Sequence, residues 1–123
     1  MTKPIEFVEK WIETVSSSDV NAIVSLYKED AILLGTLDGK VRKGREEIKE
    51  YFDFFLQLKP YGHITEIIEE DFGYRRIAVV NGLYNFDLTE DGEKAVAPAR
   101  FTFVLEKAGT KWEIHSHHSS KQP

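Results

Sequence analysis

The sequence predicts an α+β domain whose helices pack against a curved, mainly antiparallel sheet. Three observations carry this. Apolar residues recur at helical spacing in three segments before residue 60. From Tyr61 onward the period falls to two, the repeat of a strand. Between the period-two segments stand Glu90-Asp91-Gly92 and Ala108-Gly109-Thr110, short turn signals of the kind that close hairpins. Helices first and a strand meander after them is the order expected when helices cover one sheet face.

Taken in order, Ile5, Val8, Trp11, Ile12 and Val15 form the stripe of an amphipathic first helix, with Pro4 suited to its first turn. Ser16 to Ser18 break the pattern, and Asp19 caps a second helix burying Val20, Ile23, Leu26 and Tyr27. A short strand follows at Ala31 to Leu34, then a turn at Leu37-Asp38-Gly39. Gly44 opens a third helix that presents Ile48, Tyr51, Phe52 and Phe55 on one face, with Glu46 and Glu47 in its dipole-favoured first turn. Lys59-Pro60 ends it. Four strands are then expected over 63–72, 75–94, 96–111 and 112–120. The whole of 1–123 reads as one domain, a length at which roughly two-thirds of the unfolded surface is buried.

Composition sets limits on function. With no cysteine, the chain has no disulfide, thiolate metal site or Cys nucleophile, and it suits a reducing, cytoplasmic setting. No apolar run approaches the ~20 residues of a membrane span, and Met1 to Glu13 lacks the apolar core of a signal peptide. A net charge of −5 argues against a nucleic-acid partner. The expectation is therefore neither membrane nor nucleic acid as partner.

Parity assigns the strand faces. One face of the strand from Arg76 carries Ala78, Val80, Tyr84 and Phe86; the other carries Ile77, Val79, Asn81 and Leu83. The next strand alternates Ala99, Phe101, Phe103 and Leu105 with Arg100, Thr102 and Val104. Both faces are substantially apolar, whereas a solvated antiparallel face alternates to polar. Three helices cover one face. The other needs a second subunit, or else the sheet is strongly curved. The expected interface comprises Ile77, Val79, Leu83, Phe101, Phe103, His115 and His117, with Thr102 and Val104 as the alternative set.

The chain closes on Trp112-Glu-Ile-His-Ser-His-His-Ser-Ser120. By parity Trp112, Ile114, Ser116 and His118 share one face, and Glu113, His115, His117 and Ser119 the other. The Trp/Ile face is the apolar one, so Ser116 and His118 are expected to face a pocket and His115 and His117 to point outward together. That outward pair lacks the third and fourth ligands a zinc site needs, so no metal and no cofactor are expected. Arg100, among apolar neighbours, is expected beside the pocket and needs a carboxylate partner, either Glu66 or Asp87 or a ligand anion. Tyr51 and Tyr84 are candidates for the pocket wall. His118 is the single candidate for acid–base work, its alternative being a hydrogen-bonded histidine that fills the cavity end. The basic run Lys40 to Arg45 reads as a solvated loop or an anion site before a helix. No nucleophile elbow, phosphate loop or carboxylate dyad is present, which leans away from an enzyme.

Two amino-terminal helices, the stretch Tyr27 to Phe52, Pro98-Ala-Arg-Phe-Thr-Phe-Val104 and the closing Lys111 to Ser120 resemble the nuclear transport factor 2-like (SnoaL-like) superfamily. Within it the pattern is similar to the calcium/calmodulin-dependent kinase II association (hub) domain and its SgcJ/EcaC-type relatives. The resemblance covers Ile5 to Pro123 and implies a cone in which a curved sheet wraps the helices and leaves a pocket at its wide end. It also implies self-association through the sheet, as dimers or rings of dimers. Two positions depart from the hub pattern, whose pocket is lined by arginines. Ser119 stands where an arginine follows the closing strand's histidine, and Phe103 where the preceding strand carries one. The implied function is a self-assembling hub-like domain with a small pocket for an anionic or apolar ligand. The alternative is a SnoaL-like isomerase, cyclase or hydrolase.

Overall fold

The computed structural model describes residues 2–123, the side chain of Tyr74 excepted. Helix α1 (Pro4–Ser16) buries Phe7, Val8, Trp11, Ile12 and Val15, and its first turn is tied down twice. The Lys3 amide donates to Glu6 Oε1 at 2.8 Å, and the Ile5 amide donates to Glu69 Oε1, across the fold on strand β3 (Tyr61–Asp71), at 2.9 Å. Both hydrogen bonds satisfy amides that have no partner within the helix. Helix α2 (Val20–Val24) is capped by Asp19, whose carboxylate accepts from the Ala22 amide at 3.1 Å. Helix α3 (Arg45–Phe55) buries Ile48, Tyr51, Phe52 and Phe55 and runs into a 3-10 turn at Leu56–Leu58.

The remaining strands are β1 (Tyr27–Leu34), β2 (Val41–Lys43), β4 (Ile77–Glu90), β5 (Glu93–Ala108) and β6 (Lys111–Lys121). They form one six-stranded sheet in the order β2-β1-β6-β5-β4-β3. Strands β3 to β6 are the antiparallel meander that the period of two anticipated. The last strand then pairs in parallel with β1, which stitches the helical half of the chain to the sheet. Irregular register bends the sheet at three places: between Ile64 and Glu66 on β3, between Tyr27 and Ile32 on β1, and beside Val104 and Leu105, where β6 bulges. Gly82 lies at the first of these. A Cβ there would stand 2.1 Å from the Glu66 carbonyl oxygen, so only glycine lets the bulged strand approach so closely.

The core lies between the helices and the concave face of the sheet. Ala78, Val80, Tyr84 and Phe86 of β4 and Ala99, Phe101, Phe103 and Leu105 of β5 point into it. Trp11 is its centre, 2% exposed, stacked on Tyr84 with ring centroids 5.8 Å apart.

Two element assignments differ from the sequence expectation. Helix α2 ends at Val24, and Tyr27 opens β1 rather than closing the helix; Lys28, Glu29 and Asp30 loop outward between its two paired ends and break the alternation. Val41–Lys43, read as loop, is an edge strand paired antiparallel with Ile32 to Leu34.

Candidate functional site

Between α3, the end of β1 and the concave face of β4, β5 and β6 lies a cavity of about 30 Å³, room for about two waters. Its wall is mostly aromatic and aliphatic, including Trp11, Phe52, Phe55 and Phe86, with Tyr51, Tyr84, Thr36, His117 and Ser119 as its polar members. Among the described residues no Lys, Arg, Asp or Glu lines it. Gly35 makes the wall possible: a Cβ there would come within 2.3 Å of the Tyr51 ring, so any larger residue would displace that ring from the site.

All the polar members except Tyr51 belong to one buried hydrogen-bond chain. Trp11 Nε1 donates to the Tyr27 hydroxyl at 3.1 Å, and that hydroxyl lies 2.9 Å from His117 Nδ1. His117 Nε2 is 3.2 Å from the Tyr84 hydroxyl, which donates to Ser119 Oγ at 2.7 Å. Ser119 Oγ in turn meets Thr36 Oγ1 at 2.7 Å. An indole can only donate, so Tyr27 accepts from Trp11; Tyr84 spends its proton on Ser119 and accepts from Nε2, which leaves Nδ1 of the neutral ring to accept from Tyr27. The ring proton of His117 therefore sits on Nε2 and points at Tyr84. Every group of this hydrogen-bond chain finds a partner, which is how a polar chain is tolerated in a low-dielectric core.

Burial sets the electrostatics. His117 is 2% exposed and its pKa is lowered to about 3, by desolvation first and by the neighbouring His118 second. It is neutral at physiological pH. Desolvation raises the phenols of Tyr27 and Tyr84 well above their ordinary value, and that of Tyr51 to about 12, the Leu37 amide partly offsetting it.

Tyr51 and Tyr84 line this cavity. Arg100, Ser116 and His118 do not, and the parity argument fails for a definite reason. On β6, Ile114 pairs with Leu105 but Ser116 pairs with Val104, leaving His115 as an extra, unpaired residue. That bulge reverses the alternation beyond it, so His117 and Ser119 turn into the core and Ser116 and His118 turn out. His117 is thus not a partner of His115 on the surface, and the outward pair expected of these two is not formed. Arg100 is exposed on the convex face, in register with Leu83 and Ser120. The basic run has its own partners: Arg42 Nη2 binds Asp38 Oδ2 at 2.9 Å, and Arg45 Nε donates to the Tyr27 carbonyl at 2.9 Å. The residues missed were His117, Ser119, Thr36 and Tyr27. Buried phenols needing acceptors were the one sequence signal that pointed to them.

The convex face has a composition of its own. Phe101 and Phe103, expected there, are core residues at 4% and 0% exposure. In their place Val104 and Thr102 lie beside Val79 and Asn81, and the apolar row runs on through Ile77 and Leu83 on one side. On the other side Ser116 and His118 adjoin Ile32 and Leu34 of β1. Ile68 of β3, 60% exposed, extends it at the far edge. His115 is exposed at the rim, 3.9 Å from Glu106.

With this geometry in hand, the relatives of the chain can be placed. A Xanthomonas campestris protein described as a calcium/calmodulin-dependent protein kinase II association domain superposes with a TM-score of 0.89 at 38% identity, over 94% of this chain and 83% of that one. A nuclear transport factor 2-like protein of unknown function from Shewanella oneidensis superposes at 0.77 with 20% identity, over 95% of both chains. A Novosphingobium aromaticivorans protein titled as a scytalone dehydratase superposes at 0.82 with 11% identity, over 95% of this chain and 80% of that one. The last two are likenesses of fold. No curated protein sequence matches, and among the described residues no helix is long and apolar enough to cross a membrane. A profile of the family described as "Calcium/calmodulin dependent protein kinase II association domain" matches residues 3–123. The chain belongs to the calcium/calmodulin-dependent protein kinase II association domain family.

Proposed function

We propose that the chain is a self-associating, hub-like domain of the cytoplasm that forms homodimers, or rings of dimers, through the convex face of its sheet, and that its cavity takes a small ligand. The observation that carries this reading is the convex face itself. Val79, Val104, Leu83, Ile77, Ile32, Leu34 and Ile68 supply apolar side chains from four strands of this face, with Ser116 and His118 of β6 between them and the helices all on the other side. Exposed apolar patches beyond a few hundred Å² are rare on monomers. Covering ~800 Å² per subunit, half of it apolar, offers roughly 10 kcal/mol before the entropy of association is subtracted. A two-fold dimer needs only this one self-complementary patch, whereas a ring needs a second contact.

A second reading, a SnoaL-like small enzyme, draws support from the buried His117–Tyr84–Ser119 chain and from the likeness to the protein titled as a scytalone dehydratase. It is the weaker one. A histidine with its pKa near 3 and both ring nitrogens engaged is a poor proton carrier at neutral pH.

The first reading is tested by charge on the convex face. Val79 and Val104 are paired neighbours, so Val79→Glu with Val104→Glu places like charges directly opposite each other. Light scattering is expected to show the double variant at the 14.2 kDa chain mass with an unchanged far-ultraviolet circular dichroism spectrum. A folded variant that keeps the wild-type mass would refute this interface.

A further inference from the structure

The buried chain runs in one direction, and this fixes what the cavity presents to a ligand. Trp11 can only donate and Tyr84 donates to Ser119, so across the neutral His117 each of Tyr27, His117 and Tyr84 accepts from the group before it and donates to the next, ending on Ser119. One proton is left over at the end. It sits on Thr36 if Ser119 donates across their 2.7 Å contact and on Ser119 if Thr36 donates, and both hydroxyls line the cavity. Tyr51 supplies another. Its oxygen lies near the backbone of Leu37 and Thr36, and its own proton has no acceptor among the described residues. The cavity thus offers two hydroxyl donors and an apolar remainder.

Charge narrows the choice further. No cation lines the wall, and both nitrogens of His117 are already used by tyrosines. On the loop beside Leu37 the ionised side chain is Asp38, which is paired with Arg42 at 2.9 Å and does not line the cavity. The Arg42 guanidinium lies over the Tyr51 ring, 5.9 Å from its centroid, but is already paired with Asp38 and Glu50, so a carboxylate entering here would shed its water without meeting an unpaired counter-charge.

We infer that this cavity binds small neutral carbonyl compounds (ketones, esters or amides) in preference to carboxylates, the oxygen accepting from Tyr51 and from the Thr36–Ser119 pair. The inference rests on the reading of the cavity as a ligand site and is independent of self-association. The space of about 30 Å³ admits only a few heavy atoms as it stands. Larger carbonyl compounds need the half-exposed Leu37 at the rim to swing aside.

Acetone and acetate have the same number of heavy atoms and nearly the same shape, which makes them the test pair. Amide chemical shifts of Thr36, Leu37 and Ser119 are followed by NMR at pH 7 in the full chain. Acetone is expected to bind with a millimolar dissociation constant, as suits so small a ligand, and acetate about tenfold more weakly. Tyr51→Phe and Thr36→Val keep the shape while removing a donor, and each is expected to weaken acetone about three- to tenfold. Unchanged shifts far from the cavity establish that both variants are folded. Acetate binding as tightly as acetone would overturn the inference, as would acetone affinity indifferent to both substitutions, or no shift at either ligand's highest concentration. The Val79→Glu/Val104→Glu variant is titrated in parallel: acetone binding retained there upholds the ligand class whatever becomes of the interface, and its loss there would overturn the independence claimed.

Discussion

On acidification below pH 6.5 the protein is expected to lose stability at up to about 1.4 kcal/mol per pH unit from a single residue, His117. The sign follows from the two states. In the unfolded chain the imidazole takes up a proton near its ordinary value of 6.5; in the folded core it resists until about pH 3. Below 6.5 the unfolded state therefore binds more protons, and falling pH favours it. The stabilisation is fully present above 6.5, declines through the window between the two values, and levels off near 3. Asp38, whose desolvation is outweighed by Arg42 and the Lys40 amide together so that its carboxyl is lowered, works in the same direction but is only partly buried and adds little. Denaturant unfolding at fixed protein concentration, repeated from pH 7.5 to about 4, measures the slope. His117→Phe is expected to be less stable at pH 7, because Tyr27 and Tyr84 lose their partner, yet to show a much flatter pH dependence. A wild-type protein equally stable at pH 7 and about 4.5, or a His117→Phe variant with the full slope, would contradict the buried, neutral assignment.

Trp11→Ala is expected to cost about 3–5 kcal/mol, the range for deleting a large buried aromatic side chain. Trp11 is where the fold and the site meet. Its ring packs edge-on against Phe103 at 5.2 Å and against His117 at 5.1 Å, besides stacking on Tyr84. Its N–H also starts the hydrogen-bond chain, so its removal leaves a void and unsettles the proton order of everything downstream. Trp11→Phe keeps most of the volume but not the donor and is expected to lose markedly less. The midpoint of denaturant unfolding, read with the slope unchanged, distinguishes the two. A loss below about 1 kcal/mol for the alanine variant would show that the core does not rest on this residue.

Hydrophobic period carried most of the fold. In α1, α3, β4 and β5 the apolar residues fall where regular geometry puts them, so Val8, Phe52, Val80 and Tyr84 could be placed inside from spacing alone. The departures come where the chain stops being regular. Tyr27 was attached to the helix because Lys28, Glu29 and Asp30 interrupt the alternation, and only pairing with β6 shows that those three loop out of a strand. On β6 the residues after Ile114 are all histidine or serine, so hydropathy gives no sign of which side is buried. The bulge at His115 is recorded in the register with β5 and nowhere in the composition, and it exchanges His117 with His118. The site inherited that exchange. Arg100 went outward for a simpler reason: its strand is regular, and parity already set it opposite Phe101, which is in the core.

Self-association through the convex face is the claim on which the functional reading depends, and the mass of the wild-type particle tests it most directly. Light scattering coupled to size exclusion, at micromolar concentration and neutral pH, is expected to give at least twice the 14.2 kDa chain mass. A mass equal to that of one chain under the same conditions would contradict it.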